Sequence, residues 1–292
     1  MSERPILVTG ATGKLGRLVV ERLVAFGQPV RVFTRRPEAA GALFGKTVQI
    51  AAGDFGDRTS LETAVRGVAR LLLLSPISAR LVTDQVAAAD AAVAANVARI
   101  VKISGSDWTI EPAGNSISGD AHAAVERHLG SLPIEAVSLR PNAWMQVSLA
   151  NIIRQVVTSD QVVAANLDAG IGYIDARDIA DVAVQQLLAD RLDGRTLNLT
   201  GPDIVSFRQI ASLMAAALKR SVAALEEPPQ IVPQDGDFEH RAVAQFVRLI
   251  AAGRAAMTTD VVRTLLGRSP RTVAAFILEQ VAPAAAVPEY HP

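Results

Sequence analysis

The chain has 292 residues, half of them hydrophobic, which is long enough for one large core or for a large domain with a smaller lobe attached. Its 29 basic and 29 acidic residues give a formal net charge of zero, so neither nucleic acid nor an anionic membrane is expected as a partner. The absence of cysteine excludes disulfides, thiolate nucleophiles and cysteine-ligated metals. The four histidines form no His-Glu-x-x-His helix motif, so no metal site is expected.

The amino terminus and the hydropathy pattern predict where the protein resides. The first five residues run directly into the apolar segment that begins at Ile6, which leaves no room for a signal peptide. No window approaches the roughly eighteen uncharged apolar residues that a membrane span needs. We therefore expect a cytoplasmic protein that acts on a small molecule, and we leave open whether it forms a homodimer.

Short apolar runs alternate with longer amphipathic stretches through the first 140 residues. Their strand-like segments are Ile6–Thr9, Val30–Thr34, Val48–Ala52, Leu71–Ser75, Ile100–Ser104 and Ile134–Leu139. These runs lack polar alternation, as expected for parallel strands that are buried on both faces. Helices are predicted over Lys14–Phe26 and about 79–96, with Gly27 placed where a helix end favours a positive φ. The repeated strand–helix–strand order predicts a doubly wound, mostly parallel α/β sheet of the Rossmann type.

The pattern becomes less regular beyond residue 139. The predicted elements are a helix over Ala143–Val157, a glycine-rich turn at 169–172, a helix over Ala176–Leu188, a strand over Leu197–Thr200 and a helix over Phe207–Leu218. The Pro-rich and acidic stretch Glu226–Glu239 is predicted to be a loop. Helices are expected to follow until Val281, with a frayed tail after it. We predict a dinucleotide-binding domain over 1–150 and a smaller α/β lobe over 151–292, with parts of 170–200 returning to the first sheet.

A glycine-rich segment lies directly between the first strand and the first helix. Dinucleotide-binding folds need glycines there for a sharp turn, for close approach of the backbone to a pyrophosphate, and for close helix–strand packing. The amides and the positive dipole end of the helix then face the phosphates. Although a glycine-rich turn alone is weak evidence, its position between strand and helix indicates a phosphate loop. The residues expected to hold the pyrophosphate are Gly10, Thr12, Gly13, Lys14, Leu15 and Gly16.

The end of the second strand decides between NADP and NAD. An NAD-dependent enzyme usually carries Asp or Glu there to bind the ribose 2′-hydroxyl. This chain has Thr34 at that position, followed by Arg35 and Arg36. Two guanidinium groups can pair with a 2′-phosphate, so we predict NADP(H), with NAD(H) as the alternative. The other interpretation is that both arginines are ordinary solvated charges at a strand end.

Several further motifs follow in a characteristic order. They are Val8-Thr9-Gly10-Ala11-Thr12-Gly13-x-x-Gly16, Arg35, Gly53-Asp54, Lys102-Ile103-Ser104, Ala121-His122-x-x-x-Glu126-x-x-Leu129, Leu132-Pro133-Ile134, Leu139-Arg140-Pro141, Tyr173-Ile174-Asp175-x-x-Asp178-Ile179-Ala180 and Leu199-Thr200-Gly201-Pro202. With these motifs the chain resembles the NmrA-like branch of the atypical short-chain dehydrogenases/reductases, close to the type 2 NAD(P)H:quinone oxidoreductases. The resemblance runs to about residue 218 and continues more weakly through Thr258-Thr259-Asp260 and Gly267-Arg268-Ser269-Pro270.

The resemblance implies a set of cofactor contacts at the ends of the later strands. Asp54 and Phe55 would border the adenine, and Ser75 and Pro76 would line the cofactor beside the fourth strand. Ser104, Pro141, Asn142 and Ala143 would lie near the nicotinamide, over which the C-terminal lobe is expected to close. Asp54 can equally cap a turn, and Pro141 can equally end a strand.

The chain departs from the wider superfamily at the catalytic pair. Most members use Tyr-x-x-x-Lys, in which the tyrosine acts as a general acid. Neither of the two tyrosines, Tyr173 and Tyr290, is followed by a lysine four residues later. The resemblance places His122 and Glu126 at the corresponding positions. His122 is therefore the candidate proton donor, because the ordinary histidine pKa lies near neutrality; the alternative is that it packs or caps a helix.

These features predict an NADPH-dependent reductase that transfers hydride to a quinone, a conjugated carbonyl or a polycyclic aromatic intermediate. The cofactor would carry the hydride chemistry and the protein would orient it. Trp108, Trp144 and Met145 are candidates for an apolar pocket wall, with core packing as the alternative. The missing Tyr-Lys pair keeps a second possibility open, a non-catalytic dinucleotide sensor that binds a regulatory partner.

Overall fold

A seven-stranded sheet forms the centre of the first structural unit. The computed structural model describes residues 4–228 and 236–285. The strands of this sheet are β1 (Ile6–Thr9), β2 (Val30–Thr34), β3 (Gln49–Ala52), β4 (Arg70–Leu73), β5 (Arg99–Ile103), β6 (Glu135–Pro141) and β9 (Thr196–Leu199). Their order is β3-β2-β1-β4-β5-β6-β9, and the neighbouring pairs from β3 to β6 are parallel. The predicted Rossmann-type sheet is therefore confirmed.

Helices connect these strands, as neighbouring parallel strands require. They are α1 (Lys14–Ala25), α2 (Pro37–Phe44), α3 (Arg58–Val65), α4 (Leu81–Ala94), α5 (Asp107–Ile110), α6 (Ile117–Ser131) and α8 (Ala176–Leu188). Leucine, valine and alanine side chains of α3, α4 and α6 form a common core with the sheet. The strand order reverses between β1 and β4, and such a switch point opens a crevice at the carboxyl ends of the strands.

The chain divides into two compact units. The first comprises residues 1–141, 179–198 and 237–239, and the second comprises 142–178, 199–236 and 240–292. The remaining elements are α7 (Met145–Ser159), β7 (Gln161–Ala164), β8 (Gly170–Ile171), β10 (Val205–Ser206), α9 (Phe207–Leu218), β11 (Ala223–Glu226), α10 (Phe238–Ala251), α11 (Val261–Leu266) and α12 (Val273–Ala285). Strands β7 and β11 form one small parallel sheet, and β8 and β10 form an antiparallel one.

Two expectations about local structure are wrong. Strand β3 is not buried on both faces, because it forms the edge of the sheet and exposes Gln49, Ile50 and Ala52. The glycine-rich turn at 169–172 contains strand β8, whose partner β10 lies some 35 residues later in the sequence. A pairing across that distance leaves no local signal.

The predicted loop Glu226–Glu239 is bounded by regular structure at both ends. Glu226 ends β11 and Phe238 begins α10. Its residues 229–235 lie outside the described part of the chain. Helix α12 continues past Val281 to Ala285, and the rest of the predicted frayed tail also lies outside the described residues.

Candidate active site

The glycine loop after β1 has the backbone geometry of a phosphate cradle. Gly10 has a φ of +62°, and the amide of Gly13 donates to the carbonyl oxygen of Gly10 at 3.0 Å. A Cβ atom on Gly16 would lie 2.2 Å from that same oxygen, so only glycine allows α1 to pack this closely against the loop. Gly13, the N-cap of α1, has no side chain to cap the helix, and the first turn carries no acidic residue. These features leave the positive end of the helix dipole available to an anion.

Arg35 and Arg36 lie between the glycine loop and the end of β3. The Arg36 guanidinium donates to Thr12 Oγ1 at 3.3 Å, while the Arg36 amide donates to Thr34 Oγ1 at 3.0 Å. Nε of Arg35 lies 3.7 Å from Oδ2 of Asp54. The sequence places no acid directly after β2, but the fold brings the Asp54 carboxylate to the arginine pair. A phosphate bound here would compete with Asp54 for Arg35.

The ends of β3 and β4 carry the residues expected beside the adenine and along the cofactor. Asp54 accepts from the Gly56 amide at 2.8 Å, so its role as a turn cap is observed. Phe55 packs edge-on against Phe33, with ring centroids 5.6 Å apart. Ser75 accepts from the fully buried Gln85 amide at 2.9 Å. These residues all lie at the carboxyl edge of the first sheet, together with Pro76.

Ser104 and Pro141 mark the ends of β5 and β6 at this same edge. The Ser104 amide donates to the carbonyl oxygen of Leu139, and the Ser106 hydroxyl donates to that of Pro141 at 2.8 Å. These two bonds hold the ends of β5 and β6 side by side. The start of the loop that follows β5 is therefore fixed at the carboxyl edge of the sheet.

His122 projects from α6 into the interior of the first unit, where it meets a lysine. Its side chain is 5 % exposed, and its Nδ1 lies 2.9 Å from Nζ of Lys102, which is completely buried in β5. A Cβ atom on Gly105 would lie 2.8 Å from His122 Cδ2. The imidazole is thus held between the Lys102 amine and the backbone just beyond β5.

The surroundings lower the pKa values of both bases. Burial lowers the pKa of His122 well below its ordinary value, and the charges of Lys102 and Arg140 lower it further. The near-neutral pKa of an ordinary histidine therefore does not apply to His122, because a buried imidazolium beside an ammonium is disfavoured. Burial also lowers the pKa of Lys102, to about 7, although Glu126 acts in the opposite direction.

Ionic and hydroxyl groups extend this pair toward the surface. Ser104 Oγ lies 2.9 Å from Lys102 Nζ and donates to Glu126 Oε1 at 2.6 Å. Glu126 accepts from Arg140, which also donates to Asp107 at 2.7 Å. Despite the cost of its burial, the pKa of Glu126 is lowered by the hydrogen bonds from Arg140 and Ser104, so it is a carboxylate at neutral pH.

Lys102 is the member of this cluster that sequence reasoning missed as a functional residue. A signal for it exists, because Lys102 interrupts the apolar run of β5 and a charged residue in a central strand requires a buried partner. The motif containing Lys102 and the motif containing His122 and Glu126 are both visible in the sequence. Their spacing of about twenty residues does not show that the lysine contacts the histidine.

The three residues predicted to form an aromatic and apolar pocket wall do not all belong to the same structural unit. Trp108 of the first unit is only 6 % exposed, and Met145 of the second unit is completely buried. The complete burial of Met145 agrees with the alternative of core packing. Trp144 of the second unit is half-buried. Asn142, also in that unit, donates its side-chain amide to Ala255 and accepts from the Ala143 amide.

Two further features bear on the type of site. Tyr173 is 1 % exposed, and burial raises the pKa of its phenol above the ordinary value, which does not suit a proton donor at neutral pH. Within residues 4–228 and 236–285 no group of three or more His, Asp or Glu side chains is arranged to hold a metal ion. Over the same ranges no helix combines the length and apolarity that crossing a bilayer requires.

A family comparison agrees with this geometry. Residues 2–256 match the model of the NmrA-like family, which is well over half of the chain. The chain belongs to the NmrA-like family. The family implied by the sequence motifs is therefore confirmed.

Individual relatives of this NmrA-like protein include named reductases. It is 34 % identical over 217 residues to (4-alkanoyl-5-oxo-2,5-dihydrofuran-3-yl)methyl phosphate reductase of Streptomyces griseus, covering 74 % of each chain. It is 30 % identical over 284 residues to NAD(P)H azoreductase of Xenophilus azovorans, covering 93 % of this chain and 96 % of the relative. The NADPH complex of quinone oxidoreductase QOR2 from Escherichia coli has the same fold, with a TM-score of 0.83 and 22 % identity over 94 % of this chain and 99 % of that one.

Proposed function

We propose that this protein is an NADPH-dependent reductase that transfers hydride to an electron-poor conjugated acceptor. The proposal rests on one observation: in the first unit, the glycine-rich loop lies next to Arg35 and Arg36. The cradle is closed by the contact between Gly16 and Gly10, and Arg36 bonds to Thr12 within it. A dinucleotide phosphate needs both features.

The residues present fit the cofactor chemically. The pyrophosphate would bind the amides of the loop from Gly10 to Gly16, where any larger side chain at Gly16 would collide with the backbone. Arg35 and Arg36 would pair with the 2′-phosphate, which NADH lacks. When bound, NADPH supplies the hydride from its nicotinamide ring.

The names of the relatives support a class of acceptor. The relatives are a dihydrofuranone phosphate reductase, an azoreductase and a quinone oxidoreductase, whose named substrates share an electron-poor conjugated π system. We extend that class to this chain and include quinones, conjugated carbonyls and polycyclic aromatic intermediates. A polar carbonyl without conjugation would be a poorer substrate, because its reduced oxygen needs a strong acid nearby.

The protein's own contribution is orientation and a hydrogen-bond donor. A quinone that receives a hydride becomes a hydroquinone monoanion, whose charge is stabilised by its ring. His122, neutral because of its lowered pKa, would donate a hydrogen bond to this oxygen rather than act as an imidazolium acid. This role explains how a chain without the Tyr-x-x-x-Lys pair can still support reduction.

The competing function is a dinucleotide sensor without catalysis. The missing Tyr-x-x-x-Lys pair favours it, because a sensor has no need of a proton donor. It would bind NADPH or NADP⁺ and leave both unchanged.

Oxidation of NADPH by the purified protein separates the two functions. Absorbance at the nicotinamide band is followed with a panel of quinones, an azo dye and α,β-unsaturated ketones, and cofactor binding is measured in parallel by fluorescence. The reductase predicts acceptor-dependent NADPH loss, with one NADPH consumed for each quinone or ketone reduced and two for each azo bond cleaved to amines. Tight NADPH binding without turnover on any acceptor would instead favour the sensor.

A further inference from the structure

Lys102 is a buried charge at the centre of β5, where its neighbours in the strand are apolar. Its Nζ atom has three contacts, to the Ile103 carbonyl oxygen at 3.4 Å, to Ser104 Oγ at 2.9 Å and to His122 Nδ1 at 2.9 Å. An ammonium group has three hydrogens, one for each of these atoms. The three contacts therefore match the three hydrogens of the protonated amine.

The hydrogen-bond network assigns the protons of the cluster. Glu126 is ionised beside Arg140 and accepts the Ser104 hydroxyl hydrogen. The Ser104 oxygen must then accept from Lys102, since its own hydrogen is already used. When Lys102 is protonated, His122 Nδ1 accepts from it as well, which places the single proton of the neutral imidazole on Nε2. Lys102 thus fixes the tautomer of His122.

The two edges of the His122 ring face different parts of the first unit. Nδ1 faces Lys102, whereas the Cδ2 edge faces Gly105, where a Cβ atom would lie only 2.8 Å away. Gly105 belongs to the loop at the carboxyl end of β5, the edge where ligands of this fold bind. The absence of a side chain at this position leaves room for the ring edge that carries Nε2 to lie beside the loop.

The other end of the network reaches a surface cavity. Glu126 and Arg140 line a cavity of about 760 Å³, together with residues of α6, β6 and the segment before β9. From this cavity the chain of contacts runs through Glu126, Ser104 and Lys102 to His122. Each link is 2.6 to 2.9 Å long, which is within hydrogen-bonding distance.

We propose that Lys102, acting through His122, is the proton source for the reaction, and that Ser104 and Glu126 connect it to solvent. This inference rests on the proposed reductase function. In the proton-transfer step, the Nε2–H bond of His122 breaks and the proton joins the reduced oxyanion of the substrate. In the same step a proton passes from Lys102 Nζ to His122 Nδ1. The net change is an alcohol or hydroquinone from the oxyanion, and a neutral amine from the ammonium.

The acidity of Lys102 suits this role at neutral pH. Burial and the Arg140 charge of β6 lower its pKa to about 7, while Glu126 of α6 raises it. His122, the other titratable group against the amine, is neutral under these conditions. A proton source works best when its pKa lies near the working pH. Lys102 is a positioning residue here, since it reaches the substrate only through His122.

The first test is the tautomer of His122, which does not depend on turnover. Long-range ¹H–¹⁵N spectra of protein with ¹⁵N-labelled histidine distinguish the two ring nitrogens, and His122→Gln identifies the His122 signals. We expect the Nε2–H tautomer at pH 6 and ring shifts that change with a midpoint near pH 7, as Lys102 loses its proton. His128, which bonds to Asp90 on the surface, is the internal reference. An Nδ1–H tautomer at pH 6, or the same pH response in Lys102→Met, would overturn the relay.

The second test compares two acceptors in Lys102→Met. Methionine has a similar length without the charge, and Lys46→Met at an exposed lysine is the matched control. We expect kcat for an α,β-unsaturated ketone to fall by about a hundredfold or more, the usual scale of proton-transfer catalysis, while a quinone is affected much less. In the wild type, the ketone rate should be constant below pH 7 and decline above it, and this decline should be absent in Lys102→Met.

Gly105→Ala gives a second variant that leaves Lys102 in place. Its methyl group would press on the His122 ring, so we expect the same selective loss with the ketone. If none of the acceptors supports NADPH oxidation by the wild type, the reductase function fails. The tautomer data then still test the contact between Lys102 and His122. If acceptors turn over while Lys102→Met keeps both rates and the same pH profile, the relay is wrong and the reductase function stands.

Discussion

Nζ of Lys102 lies 2.9 Å from Nδ1 of His122, although the lysine belongs to a central strand and the histidine to α6. In a Tyr-x-x-x-Lys pair the amine comes from the same helix as the acid, four residues later. Here Glu126 takes that helical position, and the amine reaches the ring from β5 instead. The fold therefore places a lysine beside the candidate donor by a route that the linear motif does not reveal.

This burial of Lys102 predicts a specific pH dependence of stability. Its pKa is about 7 in the folded protein and near 10.5 when exposed. Between these values the unfolded chain binds more protons, so the contribution of Lys102 to the free energy of unfolding should rise with pH from about 7 to 10. Urea unfolding across that range should show the increase in the wild type and in Lys46→Met. A Lys102→Met protein with the same increase would contradict the lowered pKa of Lys102.

The arginine pair predicts the cofactor preference. Arg35→Ala combined with Arg36→Ala should weaken NADPH binding and leave NADH binding nearly unchanged, because the lost contacts are made only with the 2′-phosphate. Fluorescence titration measures both affinities, and Arg58→Ala on the exposed face of α3 is the matched control.

The contact between Arg35 and Asp54 supplies the converse test. Asp54→Asn keeps the acceptor for the Gly56 amide and removes the charge that competes for Arg35, so it should tighten NADPH binding. A wild type that prefers NADH, or an unchanged NADPH/NADH ratio in the arginine double variant, would refute the assignment.

Substitutions at two glycines of the loop are predicted to affect different properties, cofactor affinity at Gly13 and stability at Gly16. Gly13 has an extended backbone, and a Cβ atom there would lie 3.3 Å from the Gly10 oxygen, so Gly13→Val should fold but lose most of its dinucleotide affinity. Gly16→Ala should instead lower thermal stability, because its Cβ would lie 2.2 Å from the same backbone oxygen. Undiminished NADPH binding by a folded Gly13→Val protein would show that the phosphates bind elsewhere.

Asp178, from the motif that begins at Tyr173, is predicted to stabilise the fold and to take no part in the chemistry. Within the second unit its buried carboxylate accepts from the Arg271 amide and from the Arg268 guanidinium, each at 2.7 Å. Asp178→Ala removes this shared acceptor and should lower the free energy of unfolding by about 1–3 kcal/mol. Asp168→Ala, which removes the exposed partner of Arg208, should have little effect. Equal effects in chemical denaturation would contradict this role.

The fold was predictable wherever its determinants were local. Strands Ile6–Thr9 and Val30–Thr34 have the predicted bounds, as do helices Ala176–Leu188 and Phe207–Leu218, because periodicity and flanking turns specify them. The exposure of β3 depends on its place in the sheet order, and the pairing of β8 depends on a distant strand. Neither leaves a mark in the surrounding sequence.

The same distinction applies to the candidate site. The glycine loop is read directly from spacing, since strand, turn and helix follow one another without interruption. The approach of Asp54 to Arg35 and of Lys102 to His122 joins residues from separate elements. The lowered pKa of His122 follows from that second contact and from burial, so the sequence pointed to the residue but not to its charge state.

The central claim is that the protein transfers a hydride from NADPH to an acceptor, and a single-turnover experiment tests it most directly. The purified protein is mixed with NADPH deuterated on the transferred position and with an α,β-unsaturated ketone, and the product is analysed by mass spectrometry. Hydride transfer from NADPH predicts one deuterium on carbon in the product and a slower first turnover than with unlabelled NADPH. Tight NADPH binding with no deuterium transferred to the ketone, and no NADPH consumed with any quinone, would contradict it.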